Sequence, residues 1–351
     1  MVALAAATAI LVAACGGSSA STAPTAAGGY KACVAFDTGG LGDKGFNDLA
    51  KKGLDEAAAA GFQTAFSQAT GSTDYAANIQ RLLDQGCKSI ITVGANQGQA
   101  TVDATKANAG VMFAQVDTVW DTTVNGPIPA NFIGLDFQID QAAMLAGYLA
   151  AGVSKSGIIG TYGGQQFPGV SRFMDGYYAG IAYYNKAKGT NVKLLGWDAA
   201  KQTGTFVGGS NPWGDEPKGE QLAKTFVDQG ADIVAPVAGA TGNGSIKYML
   251  SVNKWAIGVD TDQAISLSQY AAAILTSAQK VIDAAVIDTF NANKAGGKGG
   301  TNYVGTLANK GVAMSPLHNF DATVPAALKA EVQALSDAIA GGTVKVADYL
   351  K

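Results

Sequence analysis

The sequence predicts an α/β fold built as two doubly wound parallel-sheet lobes. Three observations carry this. From Lys31 onward, short β-branched runs alternate with Ala-rich helical windows. Several of those windows close on glycine and lead at once into an apolar strand, the signature of βαβ units and therefore of a parallel sheet. The alternation runs as two successive series, which implies two similar lobes.

The first series opens with a strand at Ala32–Phe36 and a helix at Phe46–Ala60, closed by Gly61. A weak strand at Thr64–Ser67, a helix at Tyr75–Gln85 closed by Gly86, and a strand at Ser89–Val93 follow. A helix at Gln99–Asn108 and a strand at Val111–Val116 complete it. After Phe132–Leu135 the second series reads helix Gln138–Ala151, strand Gly157–Tyr162, helix Val170–Lys186 and strand Val192–Leu195. It continues with helix Gly219–Gln229, strand Ile233–Val237, helix Ser245–Ser251 and strand Trp255–Val259. A late strand at Ala273–Thr276, a helix at Val281–Asn291, a strand at Val312–Met314 and a helix at Pro325–Ile339 end the chain. The expected domains are 1–30 as a lipoprotein signal and flexible tether, 31–137 plus 274–307 as the first lobe, and 138–273 plus 308–351 as the second. Residues 197–217 form the largest irregular insertion, read either as a lid or as a surface excursion.

Composition narrows the function. The 351 residues carry 24 basic and 27 acidic side chains, a net charge of −3, which excludes a strongly basic nucleic-acid binder. Charged residues are 15% and hydrophobic ones 48%, so the chain is not disordered and has ample apolar material for a core. The single histidine, His318, would have to anchor any Ser-His-Asp set or zinc site. No cofactor or metal is expected. Met1–Ala14 is an apolar small-residue run ending at Cys15, and Gly- and Ser-rich residues follow. It reads as a secretory leader and tether, too short to span a bilayer as a helix. Val12-Ala13-Ala14-Cys15 has the form of a bacterial lipobox, with Cys15 the lipidated residue; no basic residue precedes the run, so the true start is expected upstream. Cys33 opens the first strand and Cys87 precedes the third. In the strand order 2-1-3 those strands are neighbours, which suits a Cys33–Cys87 disulfide.

Ligands of open parallel sheets bind beyond the carboxyl ends of the strands. Those ends carry Asp37 with the loop Thr38–Asn47, then Asp117, then Gly239–Gly244, then Asp260-Thr261-Asp262-Gln263, then Lys280. Carboxylates there accept from hydroxyl or ring N–H groups, and glycine lets backbone approach a ligand. Plainer readings stand beside these. The Gly39–Gly45 loop reads equally as a tight turn; it lacks the Rossmann and Walker A patterns. Asp117 and Asp260 read also as helix N-caps, the commonest role of Asp after a strand, and Trp213, and more so Phe46, as core aromatics. Lys280 at a helix start opposes the helix dipole, which favours a carboxylate or ligand partner.

Taken together, Asp37-Thr38-Gly39-Gly40, Asp43-Lys44-Gly45-Phe46-Asn47, Leu145–Ala150, Gly242-Asn243-Gly244, Ile257–Gln263 and Thr276–Lys280 resemble the basic membrane protein (BMP) family, the PnrA/TmpC-like lipoproteins that serve ABC importers as purine-nucleoside receptors. The resemblance covers about Lys31–Lys351. It implies a type I periplasmic-binding fold, two lobes joined by three crossovers around a cleft. It further implies a purine held between two aromatics, matched here by Phe46 and Trp213, with Asn47 and Asp117 reading the base. Asp260 and Lys280 match the ribose-binding positions, and Asp37 and Gly239 line the cleft. Implied partners are a purine nucleoside (guanosine, inosine or adenosine), the permease subunits of the importer and the cell membrane through lipidated Cys15, with the protein an extracytoplasmic monomer and not an enzyme. Gly42, Gly45 and Asp48 depart from the family's first loop, and the segment before Trp213 is longer. Other readings are a receptor for another solute such as riboflavin, a nucleoside-modifying enzyme using paired aspartates, and a surface antigen without ligand. Phe206 is the alternative to Trp213 for the second stacking face.

Overall fold

The computed structural model describes residues 29–351. The expected leader, with Cys15, lies outside these residues. The chain begins with β1 (Lys31–Phe36), α1 (Phe46–Ala59), β2 (Gln63–Gln68), α2 (Tyr75–Asp84) and β3 (Ser89–Val93). Next come α3 (Gly98–Ala107), β4 (Met112–Val116), the single turn α4 (Thr122–Asn125) and β5 (Phe132–Phe137). The second group holds α5 (Ile139–Val153), β6 (Ile158–Gly163), α6 (Pro168–Lys188), β7 (Lys193–Leu195), β8 (Trp197–Asp198), β9 (Thr203–Gly204) and α7 (Glu216–Asp228). It continues with β10 (Ile233–Val237), α8 (Ala240–Ser251), β11 (Trp255–Asp260), α9 (Gln263–Ser266) and β12 (Ile274–Lys280). The chain then forms α10 (Ile282–Lys294) and β13 (Thr301–Gly305), and ends through β14 (Val312–Met314) and α11 (Ala326–Ala340).

Two six-stranded sheets result. The first has the order β2-β1-β3-β4-β5-β13 and is parallel throughout. The second has the order β7-β6-β10-β11-β12-β14, with β14 antiparallel. The chain changes sheet between β5 and β6, between β12 and β13, and between β13 and β14, which makes three crossings. Central strands β1, β3 and β10 are buried almost along their whole length, as expected where helices cover both faces. Cys33 and Cys87 form a disulfide with Cα atoms 6.1 Å apart, joining β1 to the approach to β3.

Four expectations are corrected. Ile274–Lys280 pairs with β11 in the second sheet, so the boundary placed at 274 moves beyond Lys280. The strand runs on because Thr276, Ser277 and Ala278 are buried between β11 and β14. β13 was not anticipated; its Thr301-Asn302-Tyr303-Val304-Gly305 run is a half-exposed edge with little apolar signal. α8 starts at Ala240, not Ser245, and carries Gly242 and Gly244 inside it. Glycine disfavours a helix interior, but α7 crosses so closely that a Cβ on Gly244 would lie 2.0 Å from the Glu216 carbonyl oxygen. Residues 197–217 are not a free excursion. β8 and β9 pair, and Val207 and Gly208 donate to the Gly163 and Gly164 carbonyls at 2.9 and 3.1 Å, extending the edge beyond β6.

The Leu145–Ala150 motif serves packing. α5 and α6 meet backbone to backbone: a Cβ on Gly147 would fall 2.5 Å from the Tyr177 carbonyl oxygen, and one on Gly180 would fall 2.1 Å from that of Met144. No helix among the described residues is long and apolar enough to cross a membrane.

Candidate functional site

The carboxyl ends of both sheets face one cleft enclosing about 660 Å³, open mouth included. Asp37, Phe46, Asn47, Asp117, Trp213, Gly239, Asp260 and Lys280 all line it. The strand-end rule found all of them but Trp213, which the family resemblance supplied, because five strands deliver residues at or near their ends to the same place.

The first lobe contributes a loop that holds itself. Asp37 Oδ1 accepts from the Gly39 N–H at 2.8 Å and from Asn47 Nδ2 at 3.0 Å. The Asp43 carboxylate accepts from the backbone N–H groups of Gly45 (3.0 Å), Asn47 (2.8 Å) and Asp48 (3.2 Å), and from Asn47 Nδ2 at 3.1 Å. It thus sits on the free donors at the start of α1, where a negative charge is favourable. Asp48 in turn accepts from Gly42 and Lys44 N–H at 2.8 and 3.1 Å. The Gly39–Gly45 stretch is therefore a turn, and one that fixes Phe46 and Asn47 at the cleft.

Lys280 ends β12 with its side chain 2% exposed. Its Nζ lies 2.5 Å from Asp117 Oδ2, 3.6 Å from Asp260 Oδ1 and 3.4 Å from the Gly169 carbonyl oxygen. The same ammonium lies 5.3 Å from the Phe46 ring centre and 4.9 Å from that of Phe173. Lys280 thus has two carboxylate partners, one from each lobe, with Asp117 the nearer. Neither aspartate caps a helix through its side chain, so the N-cap reading is set aside; Asp121 caps α4 instead. Asp117 and Asp260 have φ of 60° and 65°, in the left-handed region that Asp tolerates better than most residues. Gly169 is required here, since a Cβ on it would lie 2.5 Å from Asp117 Oδ2.

Burial sets the electrostatics. It pushes the Asp37 carboxyl up to about 6 against the Asn47 hydrogen bond, and Asp260 up to about 6 against the Lys280 ammonium. Burial also raises Asp117, with Lys280 opposing.

On the second lobe, Trp213 lays the benzo edge of its indole on Gly164, where a Cβ would lie 2.3 Å from Cζ3. Its carbonyl accepts from the Thr241 N–H at 3.1 Å. Phe206 does not line the cleft; its ring meets Trp197 edge-on at 6.2 Å beside β6. Sequence reasoning missed Phe167 and Phe173, which also line the cleft. Phe167 follows β6 and obeyed the same strand-end rule. Phe173 lies inside α6 and gave no separate signal. Of the buried polar atoms without a hydrogen-bond partner among the described residues, three belong to side chains that line the cleft: Asn47 Oδ1, Trp213 Nε1 and Asp260 Oδ1.

The lobes meet across the mouth. Asn243 Nδ2 donates to the Asp43 carbonyl at 3.1 Å, Ser266 Oγ to the Lys44 carbonyl at 2.8 Å, and Asn96 Nδ2 to Gln165 Oε1 at 3.3 Å. Deeper in, Arg172 Nη1 donates to Asp136 Oδ1 at 2.6 Å. His318, the single histidine, pairs with Asp262 at 2.7 Å and does not line the cleft. No group of three His, Cys, Asp or Glu side chains among the described residues is placed to hold a metal ion.

Comparison with known proteins gives a consistent picture. The basic membrane protein D of Borreliella burgdorferi is 30% identical over 247 residues, 70% of this chain and 66% of that protein. The basic membrane protein A of Borreliella afzelii is 30% identical over 64% of this chain, and the match spans 65% of its length, just under two thirds. The ABC transporter nucleoside-binding protein BmpA of Lactococcus lactis is 29% identical over 80% of each chain. Among solved structures, an ABC transporter solute-binding protein from Aeropyrum pernix superposes with a TM-score of 0.79 at 22% identity, covering 90% of this chain and 92% of that one. An Agrobacterium vitis solute-binding protein bound with α-D-tagatopyranose gives 0.60 at 16%, covering 84% and 97%. These likenesses identify the fold as the type I periplasmic-binding fold. The family model described as ABC transporter substrate-binding protein PnrA-like matches residues 31–342, and the chain belongs to that family of solute-binding proteins.

Proposed function

We propose that this solute-binding protein captures a purine nucleoside in the interlobe cleft and delivers it to the permease of an ABC importer. The observation that carries the reading is the cleft wall. Phe46 from the first lobe and Trp213 from the second supply aromatic faces, and buried acceptors on Asn47 and Asp260 lack hydrogen-bond donors from the protein. A purine is a flat π-system, and each aromatic face that stacks on it contributes ~1–3 kcal/mol. Asn47 and Asp117 read the base edge. Asp260 accepts from the vicinal ribose hydroxyls, and Lys280 donates to their oxygens. Because the faces come from different lobes, the ligand binds the closed form better than the open one, which couples capture to closure. The relative from Lactococcus lactis, named a nucleoside-binding protein, supports the same assignment. On this reading the protein acts as an extracytoplasmic monomer without chemical turnover, tethered to the membrane by a lipid on Cys15.

The test is mass spectrometry of the solute that co-purifies with the protein, with calorimetry against guanosine, inosine, adenosine, the free bases, ribose and riboflavin. A purine nucleoside recovered intact, binding more tightly than its base or ribose, is the expected result. Riboflavin recovered instead, or a nucleoside cleaved during incubation, overturns the reading.

A further inference from the structure

Resting on the nucleoside reading above, we propose that the cleft prefers a nucleoside whose base carries a positive charge over its neutral counterpart. The lining holds four carboxylates, the buried Asp37, Asp43 and Asp260 and the nearly buried Asp117, against one ammonium, Lys280. Asp43 is saturated by the N–H groups that begin α1. The other three share one cation. Lys280 lies closest to Asp117 and stands 3.6 Å from Asp260. Asp37, beside Asn47 on the base-reading side, receives only neutral donors, the Gly39 N–H and the Asn47 amide. The neighbouring Arg172 is held by Asp136 and adds no free charge.

A neutral purine therefore fills the hydrogen bonds and leaves the negative charge uncompensated. A cationic base supplies the missing charge where water is excluded and opposite charges attract strongly. The walls act in the same direction. Phe46, Phe167, Phe173 and Trp213 line the cleft, and aromatic faces attract cations. The Lys280 ammonium already lies over two of these rings. Asp260 Oδ1 and Asn47 Oδ1, both buried and without a hydrogen-bond donor from the protein, offer two acceptors against the single free donor at Trp213 Nε1 among the described lining residues. Acceptors from both lobes and aromatics around them describe a receptor for a planar cation that carries hydrogen-bond donors. By the same balance, a phosphorylated nucleoside is rejected.

The test compares nucleosides with a charged purine against neutral ones, with the charge placed on either edge of the base. 1-Methyladenosine is a cation at neutral pH, and 1-methylinosine bears the same methyl group without the charge. 7-Methylguanosine at pH 6 against guanosine places the charge on the opposite edge of the base. Calorimetry on the wild-type protein is expected to show at least one cation binding ~10-fold or more tighter than its neutral partner. Asp37→Asn or Asp117→Asn is expected to collapse that ratio toward one, a readout independent of any overall loss of affinity. If inosine or guanosine binds and neither cation exceeds its partner, the preference is overturned and the receptor reading stands. If the ratio survives both substitutions, the assignment to these carboxylates is overturned. If no purine nucleoside binds, both fall together.

Discussion

The two walls of the cleft are built on different terms. The first-lobe wall, residues 37–48, is closed on itself: Asp37, Asp43 and Asp48 accept from the backbone of their own loop, and Asn47 is gripped by two of them. The second-lobe wall, from Trp197 to Trp213, leans on neighbours. It hydrogen-bonds to the end of β6, packs Phe206 on Trp197, rests Trp213 on Gly164 and ties the Trp213 carbonyl to α8. A self-bonded loop keeps its shape whether or not the lobes meet, so it offers a preformed face to an arriving solute. A leaning segment keeps its shape only while its supports are in place, so its contribution to affinity is open to change from beneath.

The largest effect is expected between the two walls, where the lobes share a charge. Lys280→Met leaves Asp117 and Asp260 buried without their ammonium and is expected to cost roughly 3–5 kcal/mol of folding stability at pH 7. Urea denaturation measures it, and part of the loss should return at pH 5, where protonation removes the unpaired charges.

Next in size is the sugar contact. Asp260→Ala is expected to weaken nucleoside binding by ~2 kcal/mol and free-base binding far less, by calorimetry. Equal losses for both would show that Asp260 does not read the sugar. The same carboxylates set a pH profile. Asp37 and Asp260 are pushed up to about 6, above their values in the unfolded chain near 4, so the native state holds those protons more tightly. Their contribution to stability is therefore greatest in acid and declines as pH rises toward 6. A ligand that donates to them favours the ionised forms. Affinity should fall as pH drops through 6, and binding at pH 6 should release protons, visible as a buffer-dependent calorimetric heat.

The aromatic faces sharpen the contrast directly. Phe46→Ala and Trp213→Ala should each lose ~1–3 kcal/mol of binding. Phe206→Ala should reduce binding less than Trp213→Ala, by loosening the segment beneath the indole, whereas Phe46 opens α1 directly after the self-bonded loop. A larger loss from Phe206→Ala than from Trp213→Ala would mean that Phe206 supplies the second face. The smallest effect is expected at the rim. Ser266→Ala removes the hydroxyl donor to the Lys44 carbonyl and should cost ~0.5–1 kcal/mol, read as faster ligand release in stopped-flow fluorescence.

The polar half of the site was legible because parallel sheets deliver strand-end residues to one edge. Asp37, Asp117, Gly239, Asp260 and Lys280 are each within a few residues of a strand that reads as an apolar run. What escaped was decided by tertiary contact. The helical state of Gly242 and Gly244 depends on the close crossing of α7, which no local propensity encodes. The sheet that claims Ile274–Lys280 is settled by which neighbour it pairs with, and β-propensity is silent on that. Phe173 looks like any other buried aromatic of α6 until Lys280 is found beside its ring.

The glycine-to-backbone seam between α5 and α6 has an effect beyond packing. Those helices have no spare methyl's width between them, so Gly180→Ala must translate α6 bodily. α6 carries Gly169 and Phe173 into the cleft, with Phe167 just ahead of its first turn. A change about two turns along α6 from Phe173 is thereby transmitted, like a push on the handle of a lever, to the walls that select the solute. Selection for altered specificity should consequently recover substitutions along this seam, at residues that never touch what is bound.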